Sequence, residues 1–255
     1  MVATAGRIMS ALGLVTAFGH VSQRCDGSML ITPAADLALV TGDAVVEVDL
    51  AAPVLPPGAP AEAWAHLAVY AARPDVAAIA RAQPPATFAA AAALTGSAVR
   101  ATAERAGDRP DAAARTYADQ ADAAVTLPLL YGQAAWLGEY VHVHPVARLL
   151  RSAELAGPAA ASLGDSGALL LRGNGALTCG ATPGLAVARM WLLAAACQAW
   201  LTAAAAGPVM TLTGDEAAAW RGVAGELLPR LWEHLAASVT IPRTRSSIPQ
   251  RTARG

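Results

Sequence analysis

RPDVAAIARAQPP, residues 73–85, carries a strand and its exit in one line. Val76 to Ala80 are small and apolar, which suits a strand buried on both faces, and the pattern predicts that it emerges at Arg81. Alternate strand residues share a face, so Arg81 and Gln83 point together into a site before Pro84-Pro85 opens the next helix. Just upstream, PAEAWAHLAVYAARPDV (60–76) has helical spacing and sets Glu62 and His66 at i and i+4 on one face. Together the two segments describe a helix handing a carboxylate to the end of a strand.

This combination resembles the class II aldolase/adducin family of aldolases, epimerases, decarboxylases and dehydratases. In that family the helix supplies a catalytic Glu in P-S-S-E-x-x-x-H, and the strand after R-P-D-x-x-A-V-V ends in H-T-H-P, whose two histidines bind a divalent metal. Glu62, His66, Arg73, Pro74, Asp75 and Pro84 match. A third metal ligand comes from R-x-H-G. Here Arg81, Gln83 and, in RGNG, Asn174 stand where the three metal-binding histidines belong, so the chain is a divergent member. The resemblance covers roughly residues 5 to 206. It implies a three-layer α/β/α fold with a central, mainly antiparallel sheet, and a homotetramer with its site at the subunit boundary.

At 255 residues, 55% hydrophobic and 15% charged, the chain can bury one large core. Residues 1–240 are expected to form a single domain, followed by a flexible basic tail, 241–255. A formal charge of -1 gives no footprint for nucleic acid or an anionic membrane. All 18 basic residues are arginine. A Schiff-base or pyridoxal-phosphate mechanism needs a lysine amine, so both are excluded, and no cofactor is implied. Cys25, Cys179 and Cys197 are odd in number and far apart, which fits reduced thiols in a cytoplasmic protein. The N-terminus lacks the apolar run and cleavage pattern of a signal peptide. Met190 to Ala206, the longest apolar stretch, is alanine-rich and interrupted by Gln198, and reads as a buried helix.

Residues 1–12 have amphipathic helical spacing. AFGHVSQRCDGSMLITP (17–33) reads as a hairpin with strands Val21–Arg24 and Met29–Thr32 around Asp26-Gly27. It resembles the family's G-[NH]-V-S-x-R and L-I-T-P, which implies substrate contacts from His20, Ser22, Arg24 and Thr32. A strand spans Ala44–Leu50, and the Pro/Gly/Ala run 51–60 is a loop. The family's phosphate-binding Thr-Gly and Ser-Ser are replaced by Ala34-Ala35 and Pro60-Ala61, so the resemblance implies a non-phosphorylated substrate.

An alanine helix follows Pro85 to about Leu94. Residues 95–124, with Arg100, Arg105, Arg109 and Arg115 among Asp and Ala, look like an insertion relative to the family's sugar-phosphate aldolases, either a charged helix lying over the site or, as the composition favours, a solvated surface loop. Two short strands are expected at Leu127–Tyr131 and Tyr140–His144. His142 and His144 alternate onto one strand face and form the fallback metal pair, although two such histidines are more often an edge face than ligands. The family takes a proton-donating tyrosine from this region, often toward a neighbouring subunit, which implies that role for Tyr131. A helix over Arg148–Leu163, a hairpin in GALLLRGNGALTCG (167–180), a helix opened by Thr182-Pro183 and another over Asp215–Ala236 complete the pattern.

Two functions follow. One is a metal-independent lyase performing aldol or retro-aldol cleavage, decarboxylation, dehydration or a related cyclisation on a small non-phosphorylated carbonyl or carboxylate compound, in specialised metabolism. Glu62 would be general acid or base, Arg81 the fixed positive charge, and Gln83, Asn174 and His66 substrate contacts, each preorganised donor contributing about 3 to 4 kcal/mol. The alternative is a non-catalytic, adducin-like structural or binding protein.

Overall fold

The structure is a computed structural model that describes residues 1–106 and 125–240. At its centre lies a seven-stranded sheet in the order β3-β2-β1-β4-β7-β6-β5. The strands are β1 His20–Cys25, β2 Ser28–Ile31, β3 Val46–Asp49, β4 Ala78–Ala82, β5 His142–His144, β6 Ala168–Leu171 and β7 Gly175–Gly180. All neighbours are antiparallel except β5 with β6. The described helices are α1 Val2–Ala11, α2 Ala63–Ala72, α3 Pro85–Ala106, α4 Ala153–Leu163, α5 Pro183–Ala206, α6 Gly214–Gly222 and α7 Ala224–Thr240.

The side-chain alternation of the strands divides the core in two. Met29, Ile79, Leu169, Leu171 and Leu177 face α2 and α4, whereas Val21, Ala78, Ala80, Leu170 and Ala176 face α1, α3, α5 and α7. This is the three-layer α/β/α arrangement with a mainly antiparallel sheet. The alanines of β4 let α5 lie close against the sheet, so a larger residue at Ala78 would overpack this layer at a cost of about 1–3 kcal/mol. Helix α5 is long and apolar enough to cross a membrane, but half of its apolar window is buried in the protein, through residues such as Val187, Met190 and Leu193.

Several element boundaries differ from the sequence pattern. The central strand runs two residues later than Val76–Ala80, because Val76 N closes a turn onto Arg73 O at 3.2 Å. Arg81 therefore does not emerge. It is paired on both sides, with His20 of β1 and Leu177 of β7, and the strand ends before Pro84, which has no N–H to offer a ladder. Helix α3 runs past Leu94 to Ala106, and Ser97 Oγ is absorbed by donating to Ala93 O at 3.0 Å. Leu127–Tyr131 is extended but not a strand. Pro128 has no N–H, and pairing there is limited to a bridge from Thr126 to His142. The helix expected from Arg148 begins at Ala153, where Ser152 Oγ accepts from Leu155 N. The helix expected over 215–236 is broken at Val223 into α6 and α7. Arg109, Arg115 and the tail 241–255 lie outside the described residues.

Candidate active site

One end of the sheet gathers the start of β1, the end of β4 and the start of β7. Cross-strand register sets His20 beside Arg81, and alternation turns His20, Ser22 and Arg81 toward α2. Helix α2 answers with Glu62, His66 and Tyr70, spaced four residues apart on one face. Glu62 stands at the N-cap of α2 but makes no capping hydrogen bond. Its carboxylate is turned instead to Arg81 Nη2, which it meets at 2.8 Å.

Three donors converge on Glu62. Arg81 holds Oε2, while Asn174 Nδ2 at 2.7 Å and Leu150 N at 3.0 Å donate to Oε1. Asn174 sits in the tight β6–β7 turn, where Gly175 has φ of 84° and a Cβ would lie 2.2 Å from Ala82 O. Only glycine lets the turn press this closely on β4. Asn174 Oδ1 in turn accepts from Arg81 Nη2. With its amide oxygen turned to the guanidinium, Gln83 accepts from Arg81 Nη2 at 3.0 Å and Nη1 at 3.1 Å, the orientation that arginine, a pure donor, requires. Burial pushes the Arg81 pKa below its ordinary value, and the Glu62 charge pulls it back.

This cluster does not fit a divalent cation. The guanidinium occupies its middle and brings positive charge without a lone pair, and both amide oxygens that could ligate already accept from it. The fallback pair fares no better. His144 is buried on β5 with Nδ1 3.0 Å from Ser162 Oγ, and burial followed by the nearby Arg172 charge lowers its pKa. Among the described residues no group of three His, Cys, Asp or Glu side chains could hold a metal ion.

Behind Arg81 runs a buried chain of four groups. Tyr70 OH lies 2.7 Å from Ser22 Oγ, Ser22 Oγ 2.6 Å from His66 Nδ1, and His66 Nε2 2.7 Å from His20 Nδ1. Burial above all, with help from Arg81, lowers His66 to about 3; burial, then His66, then Arg81 hold His20 well below the usual range, so both rings are neutral. Burial also raises the Tyr70 pKa, so its proton stays on. Among the described residues that proton has one acceptor, Ser22 Oγ, and leaving it unpaired in the core would cost about 1–3 kcal/mol. The polarity of the whole chain follows. Tyr70 donates to Ser22, Ser22 to His66 Nδ1, and His66 Nε2–H to His20 Nδ1. His20 is thus the Nε2–H tautomer, and that N–H is the group left for the pocket.

The pocket has a volume of about 470 Å³ and its floor is His20, Glu62 and Arg81. Ala34, Ala35, Pro60 and Ala61 form walls without hydroxyls, and Phe18, 67% exposed, stands at the rim. Arg151 also lines it and makes no ion pair among the described residues. Tyr70, Arg151 and the Leu150 N–H were missed in the sequence. Tyr70 was available as the next i+4 step after His66; nothing local marks the other two, which reach the site from an irregular segment ahead of α4.

Other sequence-placed residues lie off the pocket wall. Arg24 donates to the carbonyls of Val76 (3.0 Å), Tyr70 (2.6 Å) and Arg73 (3.0 Å) and stacks over the Tyr70 ring. Thr32 Oγ1 accepts from Val21 N at 3.1 Å within the hairpin. Ser22 and His66 are fully enclosed behind His20. Tyr131 lines a separate cleft with Trp191 and Leu231, where burial first, then Cys197, raises its pKa to about 12.

The sequence profile of the Class II Aldolase and Adducin N-terminal domain matches residues 1–201. No curated protein matches the chain in sequence. Among solved structures, the L-fuculose 1-phosphate aldolase of Glaciozyma antarctica PI12 superposes with a TM-score of 0.67 at 20% identity, covering 93% of this chain and 87% of that one. An aldolase II superfamily protein from Pseudomonas syringae gives 0.67 at 21% identity over 93% and 90%. The L-fuculose-1-phosphate aldolase of Thermus thermophilus gives 0.62 at 26% identity over 81% and 96%.

Proposed function

The chain belongs to the class II aldolase and adducin family, and on that premise we propose that it is a lyase-type enzyme working without a divalent metal. Its reaction is an aldol or retro-aldol cleavage, a decarboxylation, a dehydration or a related ring closure. Its substrate is a small, non-phosphorylated carbonyl or carboxylate compound of specialised metabolism, handled in the cytoplasm without a cofactor. The observation that carries this reading is the Glu62 carboxylate held by Arg81 and Asn174 at the floor of an open pocket.

In the proposed mechanism the free Arg151 guanidinium receives a substrate carboxylate, and Phe18 covers the apolar part. The reacting carbonyl oxygen accepts from His20 Nε2–H, with the Arg81 charge behind it. Glu62, 13% exposed, takes the proton of the substrate hydroxyl. The C–C bond breaks, its electron pair becomes the enolate on the carbonyl oxygen, and the proton returns to carbon as product forms. General base action of this kind contributes about 10²–10⁴-fold, and each fixed donor on the enolate about 3–4 kcal/mol. Gln83 and Asn174 position Arg81. Ser22 and His66 position His20, while Arg24 and Thr32 brace the strands that carry it. Residues 1–240 act as one domain in a homotetramer, where Tyr131 serves a neighbouring subunit's site as proton donor.

The second reading, a non-catalytic binding subunit, draws on one observation. Arg81 is only 2% exposed and Glu62 already has three donors, as in a structural ion pair. Proton exchange separates the two. Enzyme dialysed against a chelator should exchange α-protons of small 2-oxo acids or ketones into heavy water, seen by NMR, and Glu62→Gln should not. Absence of exchange across the panel, or exchange that requires an added divalent metal, would defeat the proposal. Light scattering that reports a monomer at micromolar concentration would defeat its assembly.

A further inference from the structure

A second cavity, about 380 Å³, lies at the opposite end of the sheet, where β4 begins and β7 ends. Val76 on its wall is five residues along the chain from Arg81, about 17 Å away. Three arginines line it, from three unrelated parts of the chain: Arg73 after α2, Arg189 on α5 and Arg221 in the last turn of α6.

Their partners account for only part of their charge. Arg73 is neutralised by Asp75 through contacts of 2.7 and 2.6 Å, and Nη1 reaches Gly164 O. Arg189 donates Nε to Trp136 O at 3.2 Å and Nη1 to Cys179 O at 2.7 Å, so it has hydrogen bonds but no counter-charge, and Nη2 has no partner among the described residues. Arg221 Nη1 is buried without a hydrogen bond among the described residues. The α6 carbonyl end favours a cation there but supplies no acceptor to that atom. The lining carboxylates are Asp75, consumed by Arg73, and Asp165, on the exposed rim. The cavity holds three positive and two negative side chains, and both carboxylates are exposed, so its enclosed part lacks a counter-charge. A buried guanidinium N–H without an acceptor is strongly unfavourable, and a bound anion removes the defect.

We propose that this cavity is a binding site for a small oxyanion, held by Arg221 and Arg189 with Arg73 as the fixed wall. Phosphate and carboxylate share that chemistry, because both present oxygens to a guanidinium fork. The site is separate from the Glu62 pocket and its occupancy does not depend on the reaction proposed there.

Calorimetric titration of the full chain with inorganic phosphate and with malonate, at fixed ionic strength in chloride, tests it. At least one should bind saturably, and the stronger identifies the source. Arg221→Gln should weaken that binding about tenfold or more, the scale of one charge-assisted hydrogen bond. Ala224→Glu places a carboxylate on the cavity wall, and should abolish binding while raising the melting temperature without added anion. Arg151→Gln, in the other pocket, should leave binding intact. Failure of both anions to bind, binding unchanged in both cavity variants, or binding lost in Arg151→Gln and kept in Arg221→Gln would overturn the assignment.

Discussion

Glu62 and Arg81 meet at 2.8 Å across the boundary between a helix start and a strand end, with the arginine 2% and the glutamate 13% exposed. A charge pair this enclosed is costly to break from one side, because the partner is left buried and uncompensated. Glu62→Gln keeps an acceptor for Leu150 N but strands the Arg81 charge. The expected loss is about 3 kcal/mol, read by chemical denaturation. Stability therefore does not distinguish a catalytic pair from a structural one, and activity must. Double replacement, Glu62→Gln with Arg81→Met, should cost less than the sum of the singles by at least about 1 kcal/mol. Additive losses would show that the two charges do not depend on each other.

The positions of Arg81, Gln83 and Asn174 allow a constructive test. Arg81→His alone should bind no stoichiometric zinc, because Gln83 and Asn174 remain in place. Arg81→His, Gln83→His and Asn174→His together remove the guanidinium and supply three imidazoles around Glu62, and should bind about one zinc per chain. Elemental analysis after dialysis reads both. Stoichiometric zinc on the wild-type chain would remove the basis of metal independence.

The fold was readable because its signals are local. The Asp26-Gly27 turn, the Thr182-Pro183 helix start and the small apolar run before Arg81 each pointed to the element found there. The site was readable where it follows a periodicity or, as with His20 and Asn174, a motif of the family. Glu62, His66 and Arg81 lie on helix and strand repeats, and the structure brings them to one sheet end. Arg24 was placed by the resemblance alone, and in the structure it holds three carbonyls, a role that a strand arginine fills as readily as a ligand contact. Arg151 was invisible because long-range packing, not periodicity, places the segment before α4.

The hydrogen-bond chain behind His20 makes a spectroscopic prediction. With Tyr70 O–H as its fixed start, both His20 and His66 should be Nε2–H tautomers, and ¹⁵N NMR should show each Nδ1 unprotonated. Tyr70→Phe removes the start, at a cost of about 1 kcal/mol, and frees Ser22 to turn, so a second tautomer should appear. An Nδ1–H signal for either ring in the wild type would contradict the assigned polarity and take away the donor proposed to face the substrate.

The same rings set the acid limit of stability. His66 titrates at about 3 in the folded chain, against about 6.5 when unfolded, and His20 is shifted in the same direction. Between those values the unfolded chain binds more protons than the folded one, so stability is complete above pH 6.5 and falls as the pH drops. For His66 alone the loss at pH 5 is about 2 kcal/mol, and His20 adds to it. Asp75 and Glu216, whose pKa values are lowered by Arg73 and Thr213, act in the same sense only below the ordinary carboxylate range, so the interval from pH 7 to 5 reports the histidines. Denaturation midpoints measured across that interval should fall steadily, and His66→Gln should flatten the mean slope by about 1 kcal/mol per pH unit. Equal stability at pH 7 and pH 5 would mean that the rings are not held neutral, and the donor chain from Tyr70 to His20 would not exist as described.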